Sequence, residues 1–376
     1  MLQMTKPSNI SRLRGDRVTL AHGGGGKAMR DLIDEVFTAA FEPDGMEDQA
    51  RLASEAVQEP GACLAFTTDS FVVTPLEFPG GDIGKLAVCG TVNDLAVGGA
   101  TPLWLSAAFI IEEGFEIAVL RRIVATMVEE TKNAGVRIVT GDTKVVERGS
   151  ADGVYITTSG IGVIPAGRSL SAENIREGDV AIVNGVMGDH GAAILAARGD
   201  LALSAKVESD CKSLSELMSV AMAAAPNLRA ARDATRGGLA SALNEMAEAA
   251  RVTVEIEEEL LPLRPEVKGM CEILGLDPLY LANEGTLVLF VPEREAEAVL
   301  SAMWATEAGK ESVVIGRARE KGHIPVVMKT LFGGERIVDM LVGEQLPRIC
   351  YPRLSRSNSR PAILPIGSTC TLGRDH

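Results

Sequence analysis

Five aspartates are the first candidates for chemistry. Asp69, Asp94, Asp142, Asp189 and Asp233 each follow an apolar segment, and all but Asp94 sit among small turn-forming residues. A carboxylate at a strand end is a hard oxygen ligand, and Mg2+ favours such carboxylates together with nucleotide phosphates. Any one of the five could instead cap a helix; that reading is hard to extend to all five. A second signal is His22-Gly23-Gly24-Gly25-Gly26-Lys27. Consecutive glycines let backbone amides converge on a phosphate with no Cβ in the way. The stretch is not a Walker A loop, because Ala21 and Ala28 stand where that motif needs Gly and Ser or Thr. Alone, it reads equally well as a flexible turn.

Regular elements must hold these groups. The glycine loop lies between Val18-Thr19-Leu20, read as a strand, and a helical pattern carrying Met29, Ile33, Val36 and Phe37 on one face. A strand over 62–68 delivers Asp69, and a helix over 83–96 carries Asp94. A buried strand is expected over 106–111. Residues 117–134 form the clearest amphipathic helix, with Leu120, Val124 and Met127 as its stripe and Gly135 where a left-handed cap belongs. A strand over 137–140 runs into Gly141-Asp142-Thr143-Lys144, and another covers 154–164. Pro165-Ala166-Gly167 marks a domain boundary. Beyond it, a strand over 180–183 leads to Gly188-Asp189-His190-Gly191. Asp233 to Gly238 opens a helix over 239–249, and Asn283-Glu284-Gly285 precedes a strand over 286–291. Strands and helices alternate in both halves, and several strands are short and bounded by glycine. The predicted class is α+β with a mixed or antiparallel sheet.

Composition limits the partners. A chain of 376 residues suggests two domains, and 46% hydrophobic residues exclude a disordered chain. No apolar run reaches the ~18 residues of a transmembrane helix. The N-terminus does not read as a secretory signal. A net charge of −14 argues against nucleic acid or an anionic membrane as partner. Aromatic residues, at 4%, leave no stacking platform for single strands. None of the six cysteines forms a C-x-x-C pair. Cys63, Cys89, Cys211 and Cys271 are expected to be buried thiols, which fits a reducing cytoplasm.

In order along the chain, LAHGGGGKAMRDLI (20–33), TTDSFVVTPLEFPGGDIGKLAVCGTVNDLAVGGA (67–100), FIIEEG (109–114), TGDTKVVERG (140–149), GDHGAAI (188–194), RDATRGGL (232–239), LANEGTLV (281–288) and LPRIC (346–350) resemble the hydrogenase maturation factor HypE family. These are carbamoyl dehydratases of the PurM-like ATP-binding superfamily. TGDTKVV, the ANEG motif and PRIC are the most specific of these stretches. Other PurM-like enzymes fit less well. A selenophosphate synthetase places a catalytic Cys or Sec just before its glycine-rich loop, and no cysteine precedes Cys63 here. A thiamine-phosphate kinase has no need of PRIC. A non-catalytic nucleotide-binding scaffold is the rival from another class.

The resemblance implies a two-domain PurM-like fold. Residues 1–17 are an N-terminal arm, 18–164 an ATP-binding and dimerisation domain, and 165–342 a C-terminal α/β domain. A mobile tail, 343–350, carries the acceptor cysteine, and 351–376 read as a disordered extension. The family's PRIC cysteine is the last residue; here Tyr351 to His376 follow it. The implied reaction is ATP-dependent dehydration of an S-carbamoyl group on Cys350 to S-cyanate. A HypF-type carbamoyl transferase would load Cys350, and a HypC–HypD complex would receive cyanide for the iron of [NiFe]-hydrogenase. ATP and Mg2+ are the implied cofactors, and a homodimer the implied assembly. Asp69, Asp94 and Asp142 are the metal and nucleotide candidates. Gly23, Gly24, Gly25, Gly26 and Lys27 would cover the phosphates, with Gly141 and Thr143 beside Asp142. Glu284 is the candidate base for the carbamoyl N–H, and Lys144 would steady developing charge. His190 is a candidate substrate or phosphate contact, against a structural hydrogen-bonding role. Asp233 and Arg236 either line the cleft or cap the following helix. The eight residues 343–350, fully extended, reach at most about 28 Å, and tethering raises effective concentration without added affinity.

Overall fold

The computed structural model describes residues 13, 15–44, 49–50, 52, 59–199 and 206–340. The expected strand at Val18 is replaced by a 3-10 turn, Leu20–Gly23. Val18 reaches its neighbours only through single backbone bonds, its N–H donating to the Phe115 carbonyl at 2.8 Å. Helix α1 (Lys27–Leu32) follows, widens into a π-helical stretch (Ile33–Thr38) and closes as α2 (Ala39–Phe41). Leu32, Val36 and Phe37 point into the core.

Next come β1 (Cys63–Phe71), a short hairpin of β2 (Glu77–Phe78) and β3 (Gly81–Asp82), and helix α3 (Ile83–Val97). Strand β4 (Thr101–Glu112), helix α4 (Ile117–Ala134), β5 (Arg137–Val146) and β6 (Val154–Ile164) complete a four-stranded sheet of order β1-β6-β4-β5. Helix α4 forms as its periodicity predicts. Leu120, Val124 and Met127 are at most 1% exposed, each contributing roughly 1.5–3 kcal/mol by burial. Gly135 ends the helix at φ 70°. The β4-α4-β5 crossover makes β4 and β5 parallel, whereas β6 runs antiparallel to both β1 and β4. Helices cover one face of this sheet. On the other, Leu64 is 60% and Phe66 71% exposed.

The second sheet has seven strands in the order β13-β12-β9-β11-β7-β10-β8. Its elements follow in chain order as β7 (Asp179–Val183), α5 (Asp189–Arg198), α6 (Ser215–Ala224), β8 (Ala230–Asp233) and α7 (Gly238–Ala250). Then come β9 (Thr253–Glu257), α8 (Pro265–Leu274), β10 (Leu287–Pro292), α9 (Ala296–Trp304), β11 (Val313–Arg319), β12 (Val326–Lys329) and β13 (Glu335–Ile337). All neighbours are antiparallel except β12 with β9. Every residue of β7 and β10 is buried, because helices sandwich the sheet. The C-terminal end of α3 joins the two halves: Ala96 and Val97 pack with Leu214, Leu217 and Met218.

Two aspartates sit elsewhere than their sequence surroundings suggest. Asp69 and Asp142 lie inside β1 and β5, because the ladders run past the small residues. Asp233 does end its strand, and Asp189 opens α5. Cys63 is exposed, on the edge strand β1, while Cys89, Cys211 and Cys271 are buried as expected.

Candidate active site

Alternation along β1 turns Thr67 and Asp69 towards α3. The Thr67 hydroxyl donates to Asp94 Oδ2 at 2.9 Å. Strand β8 brings Asp233 up from the other sheet, and the turn after it brings Arg236, whose guanidinium lies 3.6 Å from Asp69 Oδ1. Asp94, Asp233 and Arg236 border a cavity of about 650 Å3 between the two halves. Its carboxylates repel one another. Burial, then the nearby Asp69, raises the Asp94 carboxyl above its usual range. Burial followed by Asp94 brings the Asp233 carboxyl to about 6. Like charges crowded in this way, with one exposed arginine beside them, make the cleft electrostatically favourable to a cation.

Glu284 sits beside this cleft on a tightly held turn, near enough for Asp233, Asp69 and Arg236 to act on its carboxyl. Asn283 Nδ2 donates to the Ala234 carbonyl at 2.7 Å, and Asn283 Oδ1 accepts from the Gly188 N–H at 2.7 Å. These bonds tie the turn to the end of β8, beside Asp233. Asn93, from α3, donates to the carbonyls of Lys212 (3.0 Å) and Glu284 (3.4 Å) and accepts from Leu214 N–H (2.7 Å). Asp210 accepts from the backbone N–H groups of Glu284 and Gly285, both at 3.0 Å. Burial holds the Glu284 carboxyl well above the usual carboxylate range; Asp210, Asp233 and Asp69 add to this, and Arg236 opposes it.

Gly285 has no room for a side chain. A Cβ there would lie 1.9 Å from the Asp210 carbonyl oxygen and 2.7 Å from Lys212 Cγ. Gly285→Ala is therefore expected to lower unfolding stability by about 1–3 kcal/mol. Urea unfolding checks this through a lower midpoint at unchanged slope.

A second group of candidates gathers on β5. Gly23 approaches so closely that a Cβ would stand 2.9 Å from Val145 Cβ, which lays the glycine loop against this strand. Asp142 and Lys144, two residues apart, share one face. Lys144 Nζ is 2.7 Å from Asp142 Oδ2, and its hydrogen bond holds the Asp142 carboxyl below its usual range. Lys27 opens α1 and is exposed. Next to them a cavity of about 450 Å3 is walled by Phe37, Phe41, Phe109 and Ile138, with Gly141 and Thr143 at its rim.

The two groups stand apart within one chain. The ladder aligns Asp69 with Thr158, Ala107 and Gly141 in one row. Asp142 pairs with Ala108, one residue on and on the opposite face. Strands β6 and β4 also separate β1 from β5. Asp142 thus does not join Asp69 and Asp94 in one constellation. Among the described residues, no three His, Cys, Asp or Glu side chains are placed to hold a metal ion by themselves.

His190 is 5% exposed, with Nδ1 2.9 Å from the Ser209 hydroxyl and its ring edge-on to Phe78. Burial lowers its pKa to about 4, so the ring is neutral at pH 7. This placement is that of a wall residue behind the turn, and His190 lines neither cavity. Cys350, with the tail 343–350 and residues 351–376, lies outside the described residues. Sequence reasoning passed over Asp210, Asn93 and the aromatic wall. Asp210 sits outside any periodic pattern, and Asn93 is one of several polar residues in a largely apolar helix, beside the more conspicuous Asp94. Only an Asp directly before a buried Cys could have drawn attention to it.

Residues 47–164 match the family model for the AIR synthase related protein, N-terminal domain, and 176–329 match that for its C-terminal domain. Fold and site together therefore define a two-domain, PurM-like member of the AIR synthase related class. Over 338 residues the chain is 72% identical to carbamoyl dehydratase HypE of Rhodobacter capsulatus, covering 90% of this chain and 99% of that one. A crystal structure of the hydrogenase maturation protein HypE in complex with ATP superposes with a TM-score of 0.83. It is 43% identical, over 88% of this chain and 99% of that one. A HypE–HypF complex structure matches at TM-score 0.72 and 46% identity, over 82% and 99%. The chain belongs to the HypE family of carbamoyl dehydratases. Among the described residues no helix is long and apolar enough to cross a membrane.

Proposed function

We propose that this chain converts an S-carbamoyl group on Cys350 into an S-cyanate at the expense of ATP. A carbamoyl oxygen is a poor leaving group. Its attack on the γ-phosphoryl group forms a C–O–P linkage and releases ADP. Loss of the nitrogen's protons then breaks the C–O bond, expels phosphate and leaves S–C≡N. The carbamoyl oxygen departs in the phosphate, so atoms balance without free water.

Glu284 is the base for the N–H protons. Its raised carboxyl is basic enough for that task once deprotonated. Asp69, Asp94 and Asp233 would supply oxygens to Mg2+ only alongside the phosphates of the nucleotide, since they are not placed to hold it by themselves; when bound, the ion neutralises phosphate charge. The cavity walled by Phe37, Phe41 and Phe109 suits an adenine base, and Gly23–Gly26 with Lys27 would close over the phosphates. Lys144 would steady the developing charge. The ATP bound by the HypE relative supports this reading. The observation that carries it is the position of Glu284 near Asp233, Asp69 and Arg236, next to the cleft that Asp94 and Asp233 border.

The assembly follows from the same surfaces. The face that exposes Leu64 and Phe66 also presents Asp142 and Lys144, and a second copy is the partner we assign to it. A HypF-type transferase, as in the HypE–HypF complex, would load Cys350. A HypC–HypD complex would accept cyanide, and the compartment would be the reducing cytoplasm.

Mass spectrometry tests the reaction. After incubation with a HypF-type transferase, carbamoyl phosphate and ATP, the Cys350 peptide is expected to carry a carbamoyl group less one water, with ADP formed in step. ATP consumption with the carbamoyl group intact would count against the dehydration.

A further inference from the structure

Asp210 belongs to no motif, yet its carboxylate is the centre of the turn that carries Glu284. Oδ1 accepts from the Glu284 N–H at 3.0 Å, and Oδ2 from the Gly285 N–H at 3.0 Å. The Thr286 hydroxyl stands 2.9 Å from Oδ2 and 3.1 Å from the Val186 carbonyl, with one proton for the two. Three donors on successive residues thus face one acceptor-only side chain, a charge-assisted arrangement that a neutral amide cannot reproduce. The missing side chain at Gly285 is what permits the approach, since a Cβ there would run into the backbone of Asp210 itself. The neighbouring backbone is anchored too. Ser209 N–H donates to the Pro79 carbonyl at 2.8 Å, and its hydroxyl accepts from Cys211 N–H at 3.1 Å. The clasp is therefore fixed at its own end.

We infer that Asp210 is a positioning residue for the base: its carboxylate grips the backbone of residues 284–286 and so aims the Glu284 side chain into the cleft. The inference rests on Glu284 acting as that base. Asp210 spends its oxygens on the turn and borders neither of the two cavities, so its loss should spare nucleotide binding.

The test is Asp210→Asn in the full chain, assayed by single-turnover dehydration. An amide has one acceptor oxygen for two backbone donors, so the turn loosens. The expected result is a fall in kcat of about 10- to 100-fold, the scale of an ~1 Å misplacement, with KM for ATP within about twofold. In a Glu284→Gln background the same change should add nothing, because the aimed group is already gone. Unchanged kcat in Asp210→Asn, or a full further loss in the double variant, overturns the inference. If Asp210→Asn does not fold, Thr286→Val takes its place. It keeps the charge and removes one contact, and unchanged kcat there overturns the inference equally. The two failures are separable. Wild-type turnover by Glu284→Gln removes the reading of Glu284 itself, whereas a slow Glu284→Gln beside a fast Asp210→Asn removes only the role of Asp210.

Discussion

Cys350→Ser is expected to abolish cyanide production altogether. The proposed cycle begins with carbamoyl transfer to sulfur, and a thiol near pKa 8.5 supplies the nucleophilic anion at neutral pH far more readily than an alcohol does. It also ends on sulfur, which carries the finished nitrile as S–C≡N. Serine fails at both steps while changing the chain by one atom. Intact-mass measurement with a carbamoyl donor and ATP should show no adduct on the serine variant. In cells, the infrared cyanide bands of the matured hydrogenase should be missing. Normal cyanide bands from the serine variant would remove Cys350 from the account.

Glu284→Gln is expected to lower kcat by about 10²- to 10⁴-fold, the range for loss of a general base. The substitution is conservative where it needs to be. Asp210 and Asn93 bind the backbone of this residue and not its carboxyl, so glutamine inherits the same anchored turn. What disappears is a basic oxygen set among Asp210, Asp233 and Asp69. KM for ATP should move little. The pH profile of the wild type gives a second check. A base must be deprotonated to act, so the rate should rise with pH through the raised pKa of this carboxyl, and the glutamine variant should lose that limb. Single-turnover rates across pH 5–9 decide it; a residual glutamine rate with the wild-type limb would assign the titration to another group.

Helices α3, α4 and α7 and the buried strands β4, β7 and β10 were the legible part of the fold, whereas α5, α6, α8 and α9 went unread. Helix α4 announces itself through Leu120, Val124 and Met127 at helical spacing and through Gly135, because amphipathic periodicity and a left-handed cap are local facts. Strand β10 is equally plain as an apolar run after a turn. The errors lie where distant partners decide. Val18-Thr19-Leu20 has strand-like residues but finds no ladder. Asp69 and Asp142 look like turn residues, yet β6 and β4 extend the pairing past them. Cys63 has apolar neighbours, but its strand ends up on a sheet edge. At the site, Glu284, Asp233 and Asp94 could be named from motifs. The face on which each lies could not, because it depends on strand register. Asp210 meets Glu284 across 74 positions of chain, a closeness that no local pattern encodes.

Asn93 has a mechanical meaning. One amide on a helix of the first half grips two strands of backbone in the second, and one of them bears the proposed base. Prying the halves apart would have to break this rivet as well as part Ala96 and Val97 from Leu214, Leu217 and Met218. Any shift of one half against the other therefore pulls directly on the turn that bears the proposed base.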